Sequence, residues 1–139
     1  MSELNKELEE MGIDPVLTVV PTPELQQFER CKAWLEAGLE SSPLTMVDVL
    51  TSIRDGAVFW PGTGAAMVTE IGTFGNEKCI SVLTAGGDMD ELRQMRAGVE
   101  AYGRANGCTV SLVNGRKGWE RALKDDGYDF QSVCLRKAL

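Results

Sequence analysis

Apolar residues recur every three or four positions in some stretches of this chain. In others they form short β-branched or alternating runs, a mixture that predicts an α/β protein. Residues 2 to 11 are acidic, with Leu4, Leu8 and Met11 as a thin stripe at helical spacing, and Gly12 and Pro15 end that helix. Val16 to Val20 is short and β-branched, which predicts a first strand. Pro21-Thr22-Pro23 breaks it and opens a helix, with Thr22 as N-cap, Pro23 at the first helical position and Glu24 in the first turn. Phe28, Cys31, Leu35 and Leu39 share one face of this helix, with Trp34 beside them; it runs to about Glu40 and closes at Ser41-Ser42-Pro43. Thr45 followed by Asp48 predicts a capping box. Val47, Leu50 and Ile53 give that second helix its apolar spacing, and Arg54-Asp55-Gly56 stops it.

Three strand-like runs follow, Ala57 to Trp60, Ala65 to Ile71 and Lys78 to Thr84, separated by the turn-forming stretches Pro61–Gly64 and Gly72–Glu77. An antiparallel meander is the expected result. After Gly86-Gly87, Met89, Leu92, Met95, Val99 and Tyr102 mark a third helix running to about Ala105, capped by Asn106-Gly107. Cys108 to Val113 predicts a strand, Arg116 to Lys124 a short helix, and Phe130 to Leu135 a last strand after Asp126-Gly127. The order is β-α-α-β-β-β-α-β-α-β. The fourth strand, third helix and fifth strand form a βαβ unit, whose strands should lie parallel beside the meander. The expected architecture is a mixed, mostly antiparallel sheet with helices on both faces.

At 139 residues the chain suits one domain able to bury a core without staples. No apolar run approaches the roughly 18–20 residues that span a bilayer. The acidic N-terminus has no apolar core and is not read as a signal peptide. Cys31, Cys79, Cys108 and Cys134 include no Cys-x-x-Cys pair, and are read as reduced core residues. The absence of histidine excludes Ser-His and Cys-His mechanisms and His-ligated metal, and no metal site is expected. A net charge of −7 argues against nucleic acid as a partner, although Arg116, Lys117, Arg121, Lys124, Arg136 and Lys137 gather late in the chain.

The stretch from Cys79 to Leu92 carries the most chemistry. A strand turns through Gly-Gly into a helix N-terminus, a place where free N–H groups and the helix dipole hold anions. Here the first helical turn is filled by Asp88, Asp90 and Glu91.

This order of elements resembles the GNAT superfamily of acetyl-CoA-dependent N-acyltransferases over residues 16–139, a single GNAT-like domain, with 1–15 as an acidic helical extension. The best local likeness is Gly107–Val113, then Gly115-Arg116-Lys117-Gly118-Trp119-Glu120-Arg121-Ala122-Leu123, then Asp126-Gly127-Tyr128. That run is similar to small GNAT-like proteins of phages and prophages, a group of which are virion proteins. The superfamily signature for CoA is Arg or Gln, two residues, Gly, one residue, then Gly or Ala. With Gly86 as its first Gly, the outer positions are Leu83 and Asp88; with Gly87, they are Thr84 and Met89. Neither register satisfies it. A pyrophosphate there would also meet acids at close range, at on the order of 3–4 kcal/mol per pair for an effective dielectric near 20.

The resemblance leaves two readings. In one, a divergent phage or prophage protein without acyltransferase activity binds no cofactor. It acts as a virion-associated or assembly component through contacts with other virion proteins, in the host cytoplasm and incorporated in the particle. In the other, an acetyl-CoA-dependent N-acetyltransferase acts on a small amine or protein amino group. Its cofactor would lie on Leu83, Thr84, Ala85, Gly86 and Gly87, with Glu70 as base and Tyr128 as acid. Outside that reading Glu70 is an exposed strand residue or ion-pair partner, and a Tyr at position 128 more often closes the core with its hydroxyl at the surface.

Overall fold

The computed structural model describes residues 23–40, 42–114, 118–132 and 134–139. The predicted extension at 1–15 and the strand Val16–Val20 lie outside these. The described elements are α1 (Pro23–Gly38), α2 (Met46–Arg54), β1 (Val58–Pro61), β2 (Ala65–Phe74), β3 (Glu77–Gly87), α3 (Met89–Ala105), β4 (Val110–Val113) and α4 (Gly118–Leu123), with a 3₁₀ turn at Lys124–Asp126. They form one four-stranded sheet in the order β1-β2-β3-β4. The first two pairings are antiparallel, and β3 with β4 is parallel, as the βαβ reading requires.

β2 and β3 run further than their apolar patterns predict, to Phe74 and from Glu77, because a two-residue turn joins them. Gly75 takes the first central position at φ 64°, a conformation that suits hairpin twist and disfavours side chains. One irregularity interrupts this ladder. Thr69 pairs with Val82 but Val68 pairs with Thr84, so Leu83 is an extra residue, a β-bulge.

Each sheet face carries its own core. On one side Phe28, Cys31, Leu35 and Leu39 of α1 and Met46, Val49 and Leu50 of α2 pack against Ala66 and Val68. The buried face of α2 is thus set by Met46, Val49 and Leu50, with Val47 half-buried. Its capping box forms as expected: Asp48 N–H donates to Thr45 Oγ1, and Thr45 N–H donates to the Asp48 carboxylate at 2.8 Å. On the other side Leu92 and Val99 of α3 pack against Ala65, Met67, Ile80 and Cys108, with Trp60, Tyr102 and Trp119 at the margin. Met89, at the head of the predicted stripe, is exposed.

Two expectations need correction. Phe130 to Leu135 does not form a strand: its described residues join no ladder, and Phe130 and Leu135 are 63% and 90% exposed. β-propensity reports fit to a half-buried surface, and this segment has none to lie on. For the same reason Cys134 is an exposed thiol, while Cys31, Cys79 and Cys108 are buried and unpaired. Burial pushes the Cys31 thiol up from its ordinary range, as for an unreactive core residue.

The close packing of α1 on β3 gives a direct test. A Cβ on Gly86 would overlap the carbonyl oxygen of Trp34, backbone that cannot step aside. Nothing lies within 4 Å of a Cβ at Gly98, on the exposed side of α3. Urea denaturation should therefore show Gly86→Ala destabilised by at least about 1–3 kcal/mol. Gly98→Ala should stabilise by roughly 0.5–1 kcal/mol.

Candidate functional site

β3 enters α3 through Gly86, Gly87 and Asp88. Asp88 is the N-cap of α3, its carboxylate accepting from the N–H groups of Asp90 at 2.8 Å and Glu91 at 3.3 Å. Its own N–H donates to the Gly64 carbonyl at 2.9 Å. Three of the four amides that open the helix, those of Asp88, Asp90 and Glu91, are therefore satisfied from within the chain. The two glycines serve the same closure. Gly87, at φ 106°, admits the β1–β2 turn, since a Cβ there would overlap Gly64 and Ala65. Gly86 admits the Trp34 carbonyl of α1 from the other side.

Glu91 completes the arrangement. Its position, three residues after the N-cap, is where a capping box would fold the side chain back on the N-cap amide. Instead its carboxylate reaches the β1–β2 turn and accepts from Thr63 N–H at 2.6 Å and Gly64 N–H at 2.7 Å. The carbonyls of the same turn are held from α1: Arg30 donates to Gly62 O at 2.7 Å and Thr63 O at 3.3 Å, its guanidinium lying over the Trp34 ring. Acid takes the amides and base takes the carbonyls.

The other residues predicted to hold a cofactor lie on the same stretch of β3. Leu83 is the bulged residue, half-buried against the α1 core. Thr84 is buried, and its hydroxyl donates to Leu35 O at 2.7 Å. Ala85 packs on the α3 side. The β3–β4 ladder ends at Val82 and Val113, whereas β3 continues to Gly87, so among the described residues 83–87 pair only with β2.

Glu70 and Tyr128 are on different strands' territory and share no hydrogen bond. Glu70 is exposed on β2, beside a cavity of about 200 Å³ that Asp55, Val58, Ile71 and Tyr102 also line. Tyr128 follows the 3₁₀ turn and is half-buried over the α3 side of β4. Its hydroxyl lies 2.7 Å from Ser111 Oγ and donates to the Glu100 carboxylate at 3.3 Å. Burial raises its pKa above the ordinary phenol range, so the ring is neutral here. Glu100 also pairs with Arg96 at 2.7 Å, and Arg96 and Arg93 both reach Asp126, at 3.6 and 3.0 Å. The Arg93 hydrogen bond holds the Asp126 carboxyl below its usual range. The chain after α4 is thus fastened to α3 by one polar network.

Solved structures share this backbone arrangement. The Thermus thermophilus protein TTHA1254, as wild type and as a point mutant, superposes with a TM-score of 0.56 at 16% identity, over 86% of this chain and 95% of that one. A Trypanosoma brucei acetyltransferase superposes with a TM-score of 0.53 at 16% identity, over 77% of this chain and 89% of that one. The fold is GNAT-like. No protein-family model matches the sequence, and no curated protein does either. At this identity the likeness concerns the backbone.

Sequence patterns alone miss the partners that matter most: Arg30, Thr63, Gly64 and Asp126. The signals are faint but physical, an amide-rich Pro-Gly-Thr-Gly turn and an acid at the third position of a helix already capped by Asp. The Arg93–Asp126 pair makes stability pH-dependent on the acid side. Its folded carboxyl titrates below the unfolded value of about 3.9, so its contribution is present above that pH and is lost as pH falls through the lower folded value. Thermal melts between about pH 2 and 6 should show this acid-side slope reduced in Asp126→Asn. Tyr128→Phe should lower stability by about 1–2 kcal/mol at neutral pH, the loss of a hydrogen bond to a charged partner.

Proposed function

We propose that this GNAT-like domain carries no acyltransferase activity and acts through protein contacts, as a virion-associated or assembly component of a phage. The observation that carries the first half is the closure of the β3–α3 junction by the chain's own atoms. Asp88 takes the helix amides, Glu91 takes those of the β1–β2 turn, and Gly86 and Gly87 admit backbone rather than ligand. A pyrophosphate entering there would have to displace two carboxylates and then sit beside them. The phage half rests on the resemblance of the Gly-Arg-Lys-Gly-Trp run and the later Gly-Tyr to small phage GNAT-like proteins. Its partners on this reading are other virion proteins, met in the host cytoplasm and kept in the particle. No helix among the described residues is long and apolar enough to cross a membrane.

One observation favours an active N-acetyltransferase instead. The Leu83 bulge and the end of the β3–β4 ladder at Val82 leave backbone groups of 83–87 without a partner on the β4 side, among the described residues. Bulges gather next to active sites. On that reading acetyl-CoA would lie along this edge and use Glu70 as base and Tyr128 as acid, which requires Tyr128 to leave Ser111 and Glu100.

Acetyl-CoA titrated by calorimetry at low ionic strength decides between them. No saturable heat is expected, and a micromolar dissociation constant would overturn the proposal. Replacing Asp88 by Gly and Asp90 by Lys together tests whether the acids alone exclude the cofactor: binding gained in that variant locates the block in charge, whereas continued absence locates it in the turn. Mass spectrometry of purified particles from a phage encoding the chain should detect it.

A further inference from the structure

The cations of this chain divide into those that are used within it and those that are not. Every described Lys and Arg from Arg30 to Arg104 has a partner in the chain, as Lys32 has Glu36, Arg54 has Asp55 and Lys78 has the Asn106 carbonyl. Beyond that point Arg121, Lys124, Arg136 and Lys137 are exposed and make no ion pair or side-chain hydrogen bond among the described residues. In a chain of net charge −7 cations are the scarce charge, and these are left without an acid.

The large apolar side chains that stand in solvent sort in the same way. Phe74 pairs across the hairpin with Glu77, Met89 lies between Asp88 and Asp90, and Phe130 follows Asp129, so each keeps acidic company. Leu135 and Leu139 instead flank Arg136 and Lys137, with no acidic side chain from 134 to 139. Arg121 and Lys124 lack such anchors, since Leu123 is buried and the exposed Glu120 and Asp125 stand next to them in the chain. Residues 134–139 are therefore a strip that is basic and apolar at once, the chemistry that suits an acidic amphipathic helix.

We propose that the strip 134–139 is the docking surface for the acidic segment 2–11 of the same chain. At helical spacing that segment carries Leu4, Leu8 and Met11 in one row and Glu3, Glu7 and Glu10 in the next, so carboxylates border its apolar stripe. The two rows match the two chemistries of the strip, apolar side chain on leucine and carboxylate on guanidinium and ammonium. At Phe74, Met89 or Phe130 the same segment would meet like charge. Reach is sufficient: from Met11 to Pro23 the chain extends to about 40 Å, comparable with the width of a domain of this size. Exposed ion pairs are individually weak, and the tether supplies the effective concentration at which several hold together. The strip is thus a site for acidic amphipathic helices that the chain's own extension covers, and a partner presenting such a helix would have to displace it. The contact is independent of whether the domain binds acetyl-CoA or enters a particle.

Cys134 is an exposed thiol at the start of the strip, whereas Cys31, Cys79 and Cys108 are buried, so a nitroxide can be placed on it in the full chain. At low ionic strength this label should broaden the amide magnetic-resonance signals of residues 2–11. The effect should fade above about 0.1 M salt, where the Debye length falls to about 10 Å. Arg136→Glu with Lys137→Glu should abolish the broadening, and adding Glu7→Lys with Glu10→Lys should restore it. Leu135→Ser with Leu139→Ser should weaken it. All four side chains of the strip are exposed, so the far-ultraviolet spectrum of these variants should stay as it is. Sharp signals for residues 2–11 in the labelled wild type would overturn the proposal. So would broadening that survives the charge reversal or the loss of both leucines, or broadening that passes from a nitroxide-bearing chain to an unlabelled one in a mixture, which would put the segment on a second copy.

Discussion

The carboxylate of Glu91, held by two successive amides of the β1–β2 turn, is the contact on which the architecture of this domain converges. It belongs to α3, it grips the turn that starts β2, and that turn lies against Gly87 at the end of β3. Arg30 brings α1 to the opposite side of the same turn. Three elements from both faces of the sheet thus meet at one short loop. A buried or half-buried carboxylate needs donors of fixed geometry, and consecutive backbone amides provide them without side-chain entropy.

These contacts bear on function. Anion sites at strand-to-helix junctions depend on amides left free until a ligand arrives. In this domain the amides of Asp88, Asp90 and Glu91 are engaged before any ligand is present, and Arg93, Arg96, Glu100, Asp126 and Tyr128 pair among themselves. A fold shared with an acetyltransferase is thereby compatible with a different use, since the backbone sets where a site can be and the side chains decide whether it is open. Among the described residues, strand edges without a ladder lie elsewhere, along the outer sides of β1 and β4.

Much of the fold was legible in the sequence because its signals are local. Thr45 with Asp48, the Phe28-Cys31-Leu35 face and the Gly-Gly break all act within one or two turns of chain, and each forms as written. The last strand was not, because Phe130 to Leu135 has strand composition and a strand is a property of two segments. The junction was half legible. Its acids could be read, but their partners lie 27 and 28 residues away in the turn, and no spacing rule connects them. The same holds for Asp126, which reaches Arg93 across 33 residues.

The bulge at Leu83 has a consequence of parity. Side chains along a strand alternate, so residues an even number apart should share a face. Ile80 and Thr84 do not: the first packs toward α3, while the second bonds the Leu35 carbonyl on the side of α1. The single unpaired residue between them reverses the count for all of β3 that follows, and so sends Gly86, not Ala85, to meet α1. Closing the bulge by taking Leu83 into the ladder opposite Val68 would turn the threonine hydroxyl into the α3-side core and present the Ala85 methyl group where only a glycine fits. The faces of residues 84–87 are consequently set by their pairing with β2 and not by the count along β3.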